Sequence, residues 1–205
     1  MSNVGVVIPA FGDQSYLDAS GEAWGSAVSQ VAPGVDVRVY RTTGENLCDA
    51  RNNGAALAIS EGAEWLIFLD ADDTLAPGYV EAVSGFFESA DLIQPATLGV
   101  YPDGSTDDYP VVIERPKNLL DRNYIVIGAP IRANFFRMVG GFDDLPVLED
   151  WDLWLRVQMA GGVVAVCPDA IYRVGVNVGG RNQTGMGSDA KLHHEVYRKI
   201  RKAYS

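Results

Sequence analysis

The sequence EWLIFLDADD, residues 64–73, passes directly from an apolar segment into an acidic one. Residues 65–69 are all apolar and too few for a stable helix, so they are predicted to form a strand buried on both faces of a mostly parallel sheet. Three aspartates follow within four residues, and Asp70 and Asp72 project to the same side of an extended chain. Because like charges repel at this spacing, the motif favours a bound divalent cation. The alternative is that Asp72 or Asp73 caps the next helix.

The chain before this strand alternates between strands and helices. Residues 4–9 (VGVVIP) predict a buried strand that ends at its proline, and residues 35–40 (VDVRVY) predict a strand near an edge of the sheet. A helix is expected between them, over residues 14–30. The residues available for its inner face are Tyr16, Leu17, Trp24 and Val28.

Residues 49–59 (DARNNGAALAI) predict a polar entry to a short alanine-rich helix that ends near Gly62. Within it, Asp49 or Asn52 would be a simple cap and Arg51 a simple surface charge. The order of strands and helices up to the acidic motif is that of a doubly wound α/β half, in which ligands bind beyond the carboxyl ends of the strands. No GxGxxG or GxxxxGK[ST] motif is present, which excludes the dinucleotide fingerprint and the Walker phosphate loop.

The middle of the chain also contains predicted helices and strands. Residues 79–89 predict a helix, and residues 91–95 and 124–128 predict further apolar strands. Residues 101–110 (YPDGSTDDYP) are rich in turn formers and predict a mobile surface loop.

A glycine pair and a second acidic pair follow. Gly140 and Gly141 predict a sharp turn with unusual backbone angles. Glu149 and Asp150 open a predicted helix, where the helix dipole favours carboxylates and where a carboxylate is also held rigidly at the rim of a pocket. The residues expected on the inner face of this helix are Trp151, Leu153, Trp154, Leu155 and Val157.

Composition places the chain among globular proteins. Its 205 residues are 47% hydrophobic and carry a formal net charge of −11, which argues against a surface made for nucleic acid as a whole. No apolar run reaches the roughly 18 residues of a membrane span, and the N-terminal residues lack the pattern of a signal peptide, so we expect a cytoplasmic protein. Cys48 and Cys167 form no CxxC pair, which supports neither a disulfide framework nor a zinc site.

The charge is unevenly distributed along the chain. Residues 188–205 hold five Lys or Arg against Asp189 and Glu195, a net +3 that leaves −14 for residues 1–187. One interpretation is a solvated helix that packs an apolar stripe inward, formed by Leu192, Val196 and Ile200. The other is a tail that guides the protein to a polyanionic acceptor such as DNA or a teichoic-type polymer.

Several of these stretches, in this order, resemble the family 2 glycosyltransferases of GT-A fold. They are residues 6–11 (VVIPAF), 50–54 (ARNNG), 68–73 (FLDADD), 140–143 (GGFD) and 149–156 (EDWDLWLR). The resemblance implies an α/β fold with a Rossmann-like, mostly parallel central sheet flanked by helices, followed by a C-terminal helix.

The resemblance also implies a division of the chain. A GT-A domain would span residues 1–182, with a nucleotide-sugar half at 1–95 and an acceptor half at 96–182, and a basic helical tail would follow at 183–205.

The family's acidic motifs imply roles for four carboxylates here. Asp72 would be a metal ligand and Asp70 would contact the ribose or the metal, and oxygen ligands of this kind select Mn²⁺ or Mg²⁺. Asp150 would be the catalytic base that takes the proton of the acceptor hydroxyl in an inverting transfer, with Glu149 as the fallback. Trp151 and Trp154 are expected to be core residues rather than sugar platforms.

The sequence departs from the family pattern at two places. The Val-Asp-Asp-Gly-Ser type turn that recognises uracil is replaced by residues 41–45 (RTTGE), and no histidine ligand follows Tyr172 and Arg173. Residues 179–182 (GGRN) would form a flexible closing loop. The residues expected to contact the nucleotide-sugar are Pro9, Ala10, Phe11, Glu45, Arg51, Asp70, Arg173 and Arg181.

The expected function is therefore a metal-dependent glycosyltransferase that moves a single hexose or pentose from a nucleotide-sugar, most simply a UDP-sugar, to a hydroxyl acceptor. The acceptor would be a saccharide, a protein or another polymer, modified DNA included, without integral membrane contact. The alternative is a non-catalytic nucleotide-sugar or carbohydrate binding domain of the same fold.

Overall fold

The computed structural model describes residues 1–10, 14–107, 110–111, 119–176 and 190–204, without the side chains of residues 14–19. The strands are β1 Ser2–Pro9, β2 Val35–Thr42, β3 Trp65–Phe68, β4 Thr74–Leu75, β5 Leu92–Val100, β6 Ile131–Arg132 and β7 Val164–Gly175. The helices are α1 Gln14–Val28, α2 Leu47–Ser60, α3 Tyr79–Ser84, α4 Ala133–Met138, α5 Glu149–Met159 and α6 Ala190–Ala203.

The seven strands form one sheet in the order β2-β1-β3-β6-β5-β7-β4. The long strands β2, β1, β3, β5 and β7 run in the same direction, while the two-residue strands β4 and β6 run against them. The predicted mixed α/β architecture with a mostly parallel sheet is confirmed, and β2 lies at an edge as expected. Among the described residues, no helix is long and apolar enough to cross a membrane.

The strand register brings the carboxyl ends of β1, β2 and β3 together. Pro9 is aligned with Thr42, and the backbone N–H of Ala10 donates to the Thr42 carbonyl at 2.7 Å. The Leu69 N–H, just after β3, donates to the Val7 carbonyl at 2.9 Å. The acidic motif after β3 therefore leaves the sheet beside the end of β1, at the edge where ligands bind in such sheets.

The inner face predicted for α1 is wrong at Trp24 and Val28, which are 37% and 53% exposed. Small residues face the sheet instead, because Ser20, Ala23 and Ala27 are fully buried and their size lets the helix lie close to the strands. Trp24 stays outside, with the Arg41 guanidinium 5.3 Å from its ring centroid. The predicted contributions of Tyr16 and Leu17 lie outside the described side chains.

The strand predicted at 124–128 is also wrong, because this segment is buried but irregular. Two of its carbonyl groups accept hydrogen bonds from side chains, and the Val126 carbonyl accepts from the Ala129 N–H in a turn at 3.0 Å. The Trp154 indole N–H donates to the Ile125 carbonyl at 3.1 Å, and the Tyr79 hydroxyl donates to the Gly128 carbonyl at 2.8 Å. Apolar residues here fill the core without strand geometry, which hydrophobicity alone does not distinguish from a strand.

Two other elements differ in length from the prediction. The helix expected over 79–89 ends at Ser84, and the chain then continues in turns whose N–H groups bond three residues back, as from Phe86 to Val83 at 3.0 Å. The strand expected over 91–95 extends to Val100 because it pairs along β7, past an irregularity in register after Pro95. Within the loop predicted at 101–110, the described residues 101–106 are exposed.

The helix α5 packs as predicted, and α6 packs as predicted except at Leu192. Every residue expected on the inner face of α5 is buried, and both tryptophans are fully inaccessible. In α6, Val196 and Ile200 are buried, whereas Leu192 is 36% exposed and does not belong to the buried stripe. The ring of Tyr197 stacks on Trp151 with centroids 5.1 Å apart, so α6 covers α5 directly.

Candidate active site

Asp70 and Asp73 leave β3 in a tight turn and have different surroundings. The Asp73 N–H donates to the Asp70 carbonyl at 3.1 Å, which closes the turn. The Asp70 N–H donates to the Tyr172 hydroxyl oxygen at 3.3 Å, and one Asp70 carboxylate oxygen accepts from Arg51 at 2.5 Å. The turn is thus held by β7 on one side and by α2 on the other.

Asp73 is a buried carboxylate with a structural role. It is 3% exposed, and its two oxygens accept from the Tyr172 hydroxyl and the Gly175 N–H, each at 2.8 Å. Burial raises the pKa of Asp73 well above its usual value, and the negative charges of Asp70 and Asp72 raise it further. The helix-cap alternative is wrong for Asp73, because Gly78 precedes α3 and no side chain caps that helix.

The end of β7 approaches the acidic turn so closely that only glycine fits there. A Cβ atom on Gly175 would lie 2.2 Å from the backbone oxygen of Asp72. Any larger residue at this position would push the turn away from β7.

Arg51 on α2 connects the two acidic motifs. Its side chain is 2% exposed, and its guanidinium donates to Asp70 at 2.5 Å and to Glu149 at 2.8 Å. The guanidinium carbon also lies 5.3 Å from the ring centroid of Phe142. Burial opposes its charge, yet the two carboxylates raise the pKa of Arg51 above its ordinary value. The interpretation of Arg51 as a simple surface charge is therefore wrong.

The next residue, Asn52, holds the glycine turn. Its side-chain amide donates to the Phe142 carbonyl and accepts from the Phe142 N–H, both at 2.9 Å. Gly140 and Gly141 have positive φ angles of 90° and 74°, as their sequence predicted. Asn52 is thus no cap, and neither is Asp49, because Asn46 caps α2 by accepting the Asp49 N–H at 2.8 Å.

Glu149 and Asp150 form the first turn of α5, directly after Leu148, which adopts a left-handed conformation with φ 62°. Glu149 is 8% exposed and bound to Arg51, while Asp150 is partly buried. The Asp150 carboxylate accepts from the Trp151 N–H at 2.7 Å and from the Asn123 amide at 3.0 Å. The two carboxylates therefore occupy different environments although they are adjacent.

The pKa of Asp150 is raised to about 6. Burial is the main cause, and the negative charge of Glu149 adds to it. The hydrogen bonds from Asn123 and from the Trp151 N–H act in the opposite direction, as does the positive charge of Arg51. A carboxylate with this pKa is suited to accept a proton near neutral pH.

Trp151 and Trp154 are core residues, as expected. Both are fully buried, and their indole N–H groups donate to the carbonyls of Leu119 and Ile125 at 2.7 Å and 3.1 Å. Neither ring is accessible to stack on a sugar.

The acidic turn fits a cation that is shared with a diphosphate better than a cation held by protein alone. In the described part of the chain, no group of three or more His, Cys, Asp or Glu residues is placed to hold a metal ion. Arg51 occupies one oxygen of Asp70, and Tyr172 and Gly175 occupy both oxygens of Asp73. A cation at this turn would be held by Asp72 and the second oxygen of Asp70, since Mg²⁺ is commonly held by one or two carboxylates together with substrate phosphates and water.

The other predicted nucleotide contacts lie around the same edge where the structure describes them. Pro9 and Ala10 end β1, and the exposed Glu45 immediately precedes the cap of α2. Arg173 lies in β7 and is paired with Thr74, the residue that immediately follows the acidic turn. Phe11, Arg181 and the predicted closing loop at 179–182 fall outside the described residues.

Sequence reasoning missed the polar partners that hold the acids. In the sequence, Tyr172 stands out only as part of a Tyr-Arg pair, and Asn123 carries no local signal. Asn52 lies inside a recognisable motif, but its contact with Phe142 joins residues 90 positions apart.

The mixed α/β fold, with its mostly parallel sheet flanked by helices and its C-terminal helix, matches the GT-A class of folds. A family model described as Glycosyl transferase family 2 matches residues 18–140, which is more than half of the chain. The chain belongs to glycosyl transferase family 2. No curated protein matches the sequence.

Solved structures of S. aureus TarS share the fold. TarS 1-349 in complex with UDP-GlcNAc has a TM-score of 0.70 at 15% identity, covering 98% of this chain and 65% of that one. TarS 1-349 without a named ligand has a TM-score of 0.62 at 13% identity, covering 85% and 60%. The complex of TarS 1-349 with UDP has a TM-score of 0.59 at 15% identity, covering 86% and 61%. This chain thus spans less than two thirds of the length of these neighbours.

Proposed function

We propose that this protein is a metal-dependent, inverting glycosyltransferase that moves one hexose or pentose from a nucleotide-sugar to a hydroxyl acceptor. The observation that carries the proposal is the placement of two acidic motifs on either side of Arg51, with Asp70 at 2.5 Å and Glu149 at 2.8 Å. Sugar transfer needs a leaving-group site and a proton acceptor that are close together but separate, and two carboxylate sites joined in this way would supply both.

The donor side of the reaction is assigned to the acidic turn. Asp72 and the second oxygen of Asp70 would hold Mn²⁺ or Mg²⁺, which supplies charge neutralisation of the diphosphate as it leaves. Asp73 takes no direct part, because both of its oxygens are bonded to Tyr172 and Gly175. Its contribution is to hold the turn in shape.

The acceptor side is assigned to Asp150. Its carboxylate takes the proton of the acceptor hydroxyl while that oxygen attacks the anomeric carbon from the side opposite the diphosphate. The pKa of about 6 keeps Asp150 ionised at neutral pH and basic enough to accept the proton. Glu149 is the poorer candidate, because Arg51 occupies one of its oxygens at 2.8 Å.

The nucleotide is assigned to the edge formed by β1, β2 and the acidic turn. Pro9, Ala10 and Glu45 would contact the base and ribose, and Arg173 would meet the diphosphate as a cationic partner. Phe11 and Arg181 remain proposed contacts from outside the described residues. A UDP-sugar is the proposed donor, since a fold neighbour was solved with UDP-GlcNAc.

The acceptor is proposed to be a saccharide, a protein or another polymer, modified DNA included. The apolar packing of Val196 and Ile200 supports the interpretation of α6 as a helix with a solvated basic face. Its basic side chains therefore need no polyanion to account for them.

The test is release of free nucleoside diphosphate from a panel of UDP-, GDP- and CDP-sugars with Mn²⁺, using candidate hydroxyl acceptors. The wild-type chain is expected to turn over a UDP-sugar, and an Asp150→Asn variant is expected to lose about 10²- to 10⁴-fold in kcat. Arg132→Lys, remote from both acidic motifs, serves as the control. Absence of turnover with every donor, together with an unchanged Asp150→Asn variant, would support the non-catalytic binding domain instead.

A further inference from the structure

The proposed function leaves Arg51 without a chemical role, although it is among the most buried charged side chains described. The described hydrogen bonds of its guanidinium go to carboxylates of the protein. One terminal nitrogen of Arg51 is bound to Asp70 and the other to Glu149, and its Nε is buried without a hydrogen-bond partner. The guanidinium therefore joins a carboxylate of the acidic turn to a carboxylate at the start of α5.

The two carboxylates belong to opposite halves of the proposed reaction. Asp70 lies on the donor side, and Glu149 is the immediate neighbour of Asp150 on the acceptor side. A planar guanidinium fixes both carboxylates in one geometry, which a flexible ammonium group cannot do. The adjacent residue, Asn52, bonds the Gly141–Phe142 turn that precedes α5, the helix that carries Asp150. Two consecutive residues of α2 therefore bond the start of α5 and the turn before it.

On the basis of the proposed function, we propose that Arg51 is a positioning residue that sets the place of the base Asp150 relative to the donor site by joining Asp70 to Glu149. It acts through Glu149 and touches neither substrate nor the reacting atoms. Its loss should therefore lower kcat more than it weakens donor binding.

Charge supplies a second signature of the same arrangement. The charged groups that act on Asp150 are Glu149, which raises the pKa, and Arg51, which lowers it. Removal of the Arg51 charge should move the titration of Asp150 to higher pH. Removal of the Glu149 charge should move it to lower pH, and damage to packing alone would not produce two opposite shifts.

The experiment compares Arg51→Met, Arg51→Lys and Glu149→Gln with the wild-type chain. For Arg51→Met we expect kcat to fall about 10²-fold and donor KM to change by less than about threefold, since misplacement of a catalytic group by 1 Å costs on this scale. Arg51→Lys keeps the positive charge but lacks the planar guanidinium that bonds two carboxylates at once. It should therefore bring the pKa of Asp150 back toward the wild-type value while leaving kcat low.

The double variant Arg51→Met, Glu149→Gln separates coupling from simple damage. Because Arg51 acts through Glu149, the double variant should be no slower than Arg51→Met alone. The double variant also lacks the buried Glu149 charge that Arg51→Met leaves unpaired. It can therefore be assayed in place of Arg51→Met if that single variant is too unstable to fold.

Arg132→Met is the matched control. Arg132 likewise pairs with a carboxylate, Asp91 at 3.0 Å, and lies 4.8 Å from an aromatic centroid, that of Trp65 at the start of β3. It should lose stability without any change in kcat or in the titration of Asp150. A matching result for Arg51→Met would overturn the proposal, and so would a rise in donor KM at constant kcat.

A carbon-detected NMR titration of the Asp150 carboxyl makes the test independent of turnover. If the wild-type chain transfers no sugar from any donor, the proposed function has failed, yet opposite pKa shifts in Arg51→Met and Glu149→Gln would still support the coupling. Shifts in the same direction, or none, would overturn it whether or not the chain is an active transferase.

Discussion

Two carboxylates, Asp73 and Asp150, have raised pKa values for the same first reason, which is burial. Asp73 has both oxygens bonded to protein donors and thereby joins β3 to β7. Asp150 is bonded to Asn123 and to the start of its own helix, at the acceptor side of the proposed site. A raised pKa therefore identifies a functional carboxylate only together with the partners that surround it.

Replacement of Asp150 by Asn should stabilise the protein while it slows transfer. The folded pKa of about 6 exceeds the unfolded value, so ionisation of Asp150 disfavours the folded state above pH 6, and this cost disappears as the pH falls toward 4. We expect Asp150→Asn to raise the free energy of unfolding by about 1–3 kcal/mol at pH 7.5, with a much smaller gain at pH 4.5.

Urea denaturation of both proteins at the two pH values measures this difference. The Asn123 carbonyl oxygen is buried without a partner, so its amide can turn to accept from the introduced amide group. A loss of stability at pH 7.5 would show that the Asp150 charge is well compensated, contrary to its assigned environment.

Asp72→Asn and Asp73→Asn should have different consequences although the residues are adjacent. Asp72→Asn removes a proposed metal ligand and should abolish the Mn²⁺-dependent part of UDP binding. Asp73→Asn keeps one acceptor oxygen, but its amide NH₂ would face the donor of either Tyr172 or Gly175. It should therefore lose about 1–3 kcal/mol of stability while retaining Mn²⁺-dependent binding.

Calorimetric titration of UDP, with Mn²⁺ and with chelator, measures the first effect, and urea denaturation measures the second. If Asp73→Asn were the variant that lost the metal dependence, the assignment of the two aspartates would have to be exchanged.

At the scale of elements, α2 and α6 position the segments that carry the proposed site residues. α2 places Arg51 and Asn52 so that they reach the acidic turn and the Phe142 turn. α6 covers α5 through Tyr197 on Trp151 and through the Tyr204 hydroxyl, which donates to Asp152 at 2.7 Å. The helix α5, which carries the proposed base Asp150, is thus contacted by both α2 and α6.

Truncation of α6 side chains should separate its buried stripe from its exposed positions. Ile200 is 4% exposed and Leu192 is 36% exposed. Ile200→Ala should cost about 2–4 kcal/mol through the lost contacts and the cavity that remains, whereas Leu192→Ala should cost less than about 1 kcal/mol. Denaturant unfolding of the two variants provides the comparison, and equal losses would contradict the observed orientation of the helix.

At the scale of the whole molecule, one sheet edge gathers the ends of β1 and β2 with the acidic turn, while α5 approaches through Arg51. Residues from both halves of the chain therefore contribute to one proposed site. A ligand that binds across this edge should stabilise the folded chain as a unit.

UDP with Mn²⁺ should raise the melting temperature of the protein. At a ligand concentration about 100 times Kd the stabilisation is about 2.7 kcal/mol, which corresponds to about 5–10 °C for a chain of this size. Thermal-shift measurements with UDP, GDP and CDP, each with Mn²⁺ or chelator, test the base and the metal together. A larger shift with GDP or CDP would overturn the proposed UDP-sugar donor, and shifts unchanged by chelator would overturn the metal.

The strand β3 with its acids, the edge strand β2 and the apolar face of α5 were predictable from sequence, because each depends on a local pattern of apolar and polar residues. The family was recognisable because its motifs occur in order. Tertiary structure alone decided that Asp73 is bonded to Tyr172, 99 residues away, and that Arg51 reaches Glu149, 98 residues away. It also decided that residues 124–128 form no strand, because side chains from α3 and α5 bind the carbonyl groups of Gly128 and Ile125 and the Val126 carbonyl closes a turn. Local pattern determines which residues are buried and in what kind of element, but the partner of a buried polar group is set by chain topology, which brings distant segments into contact.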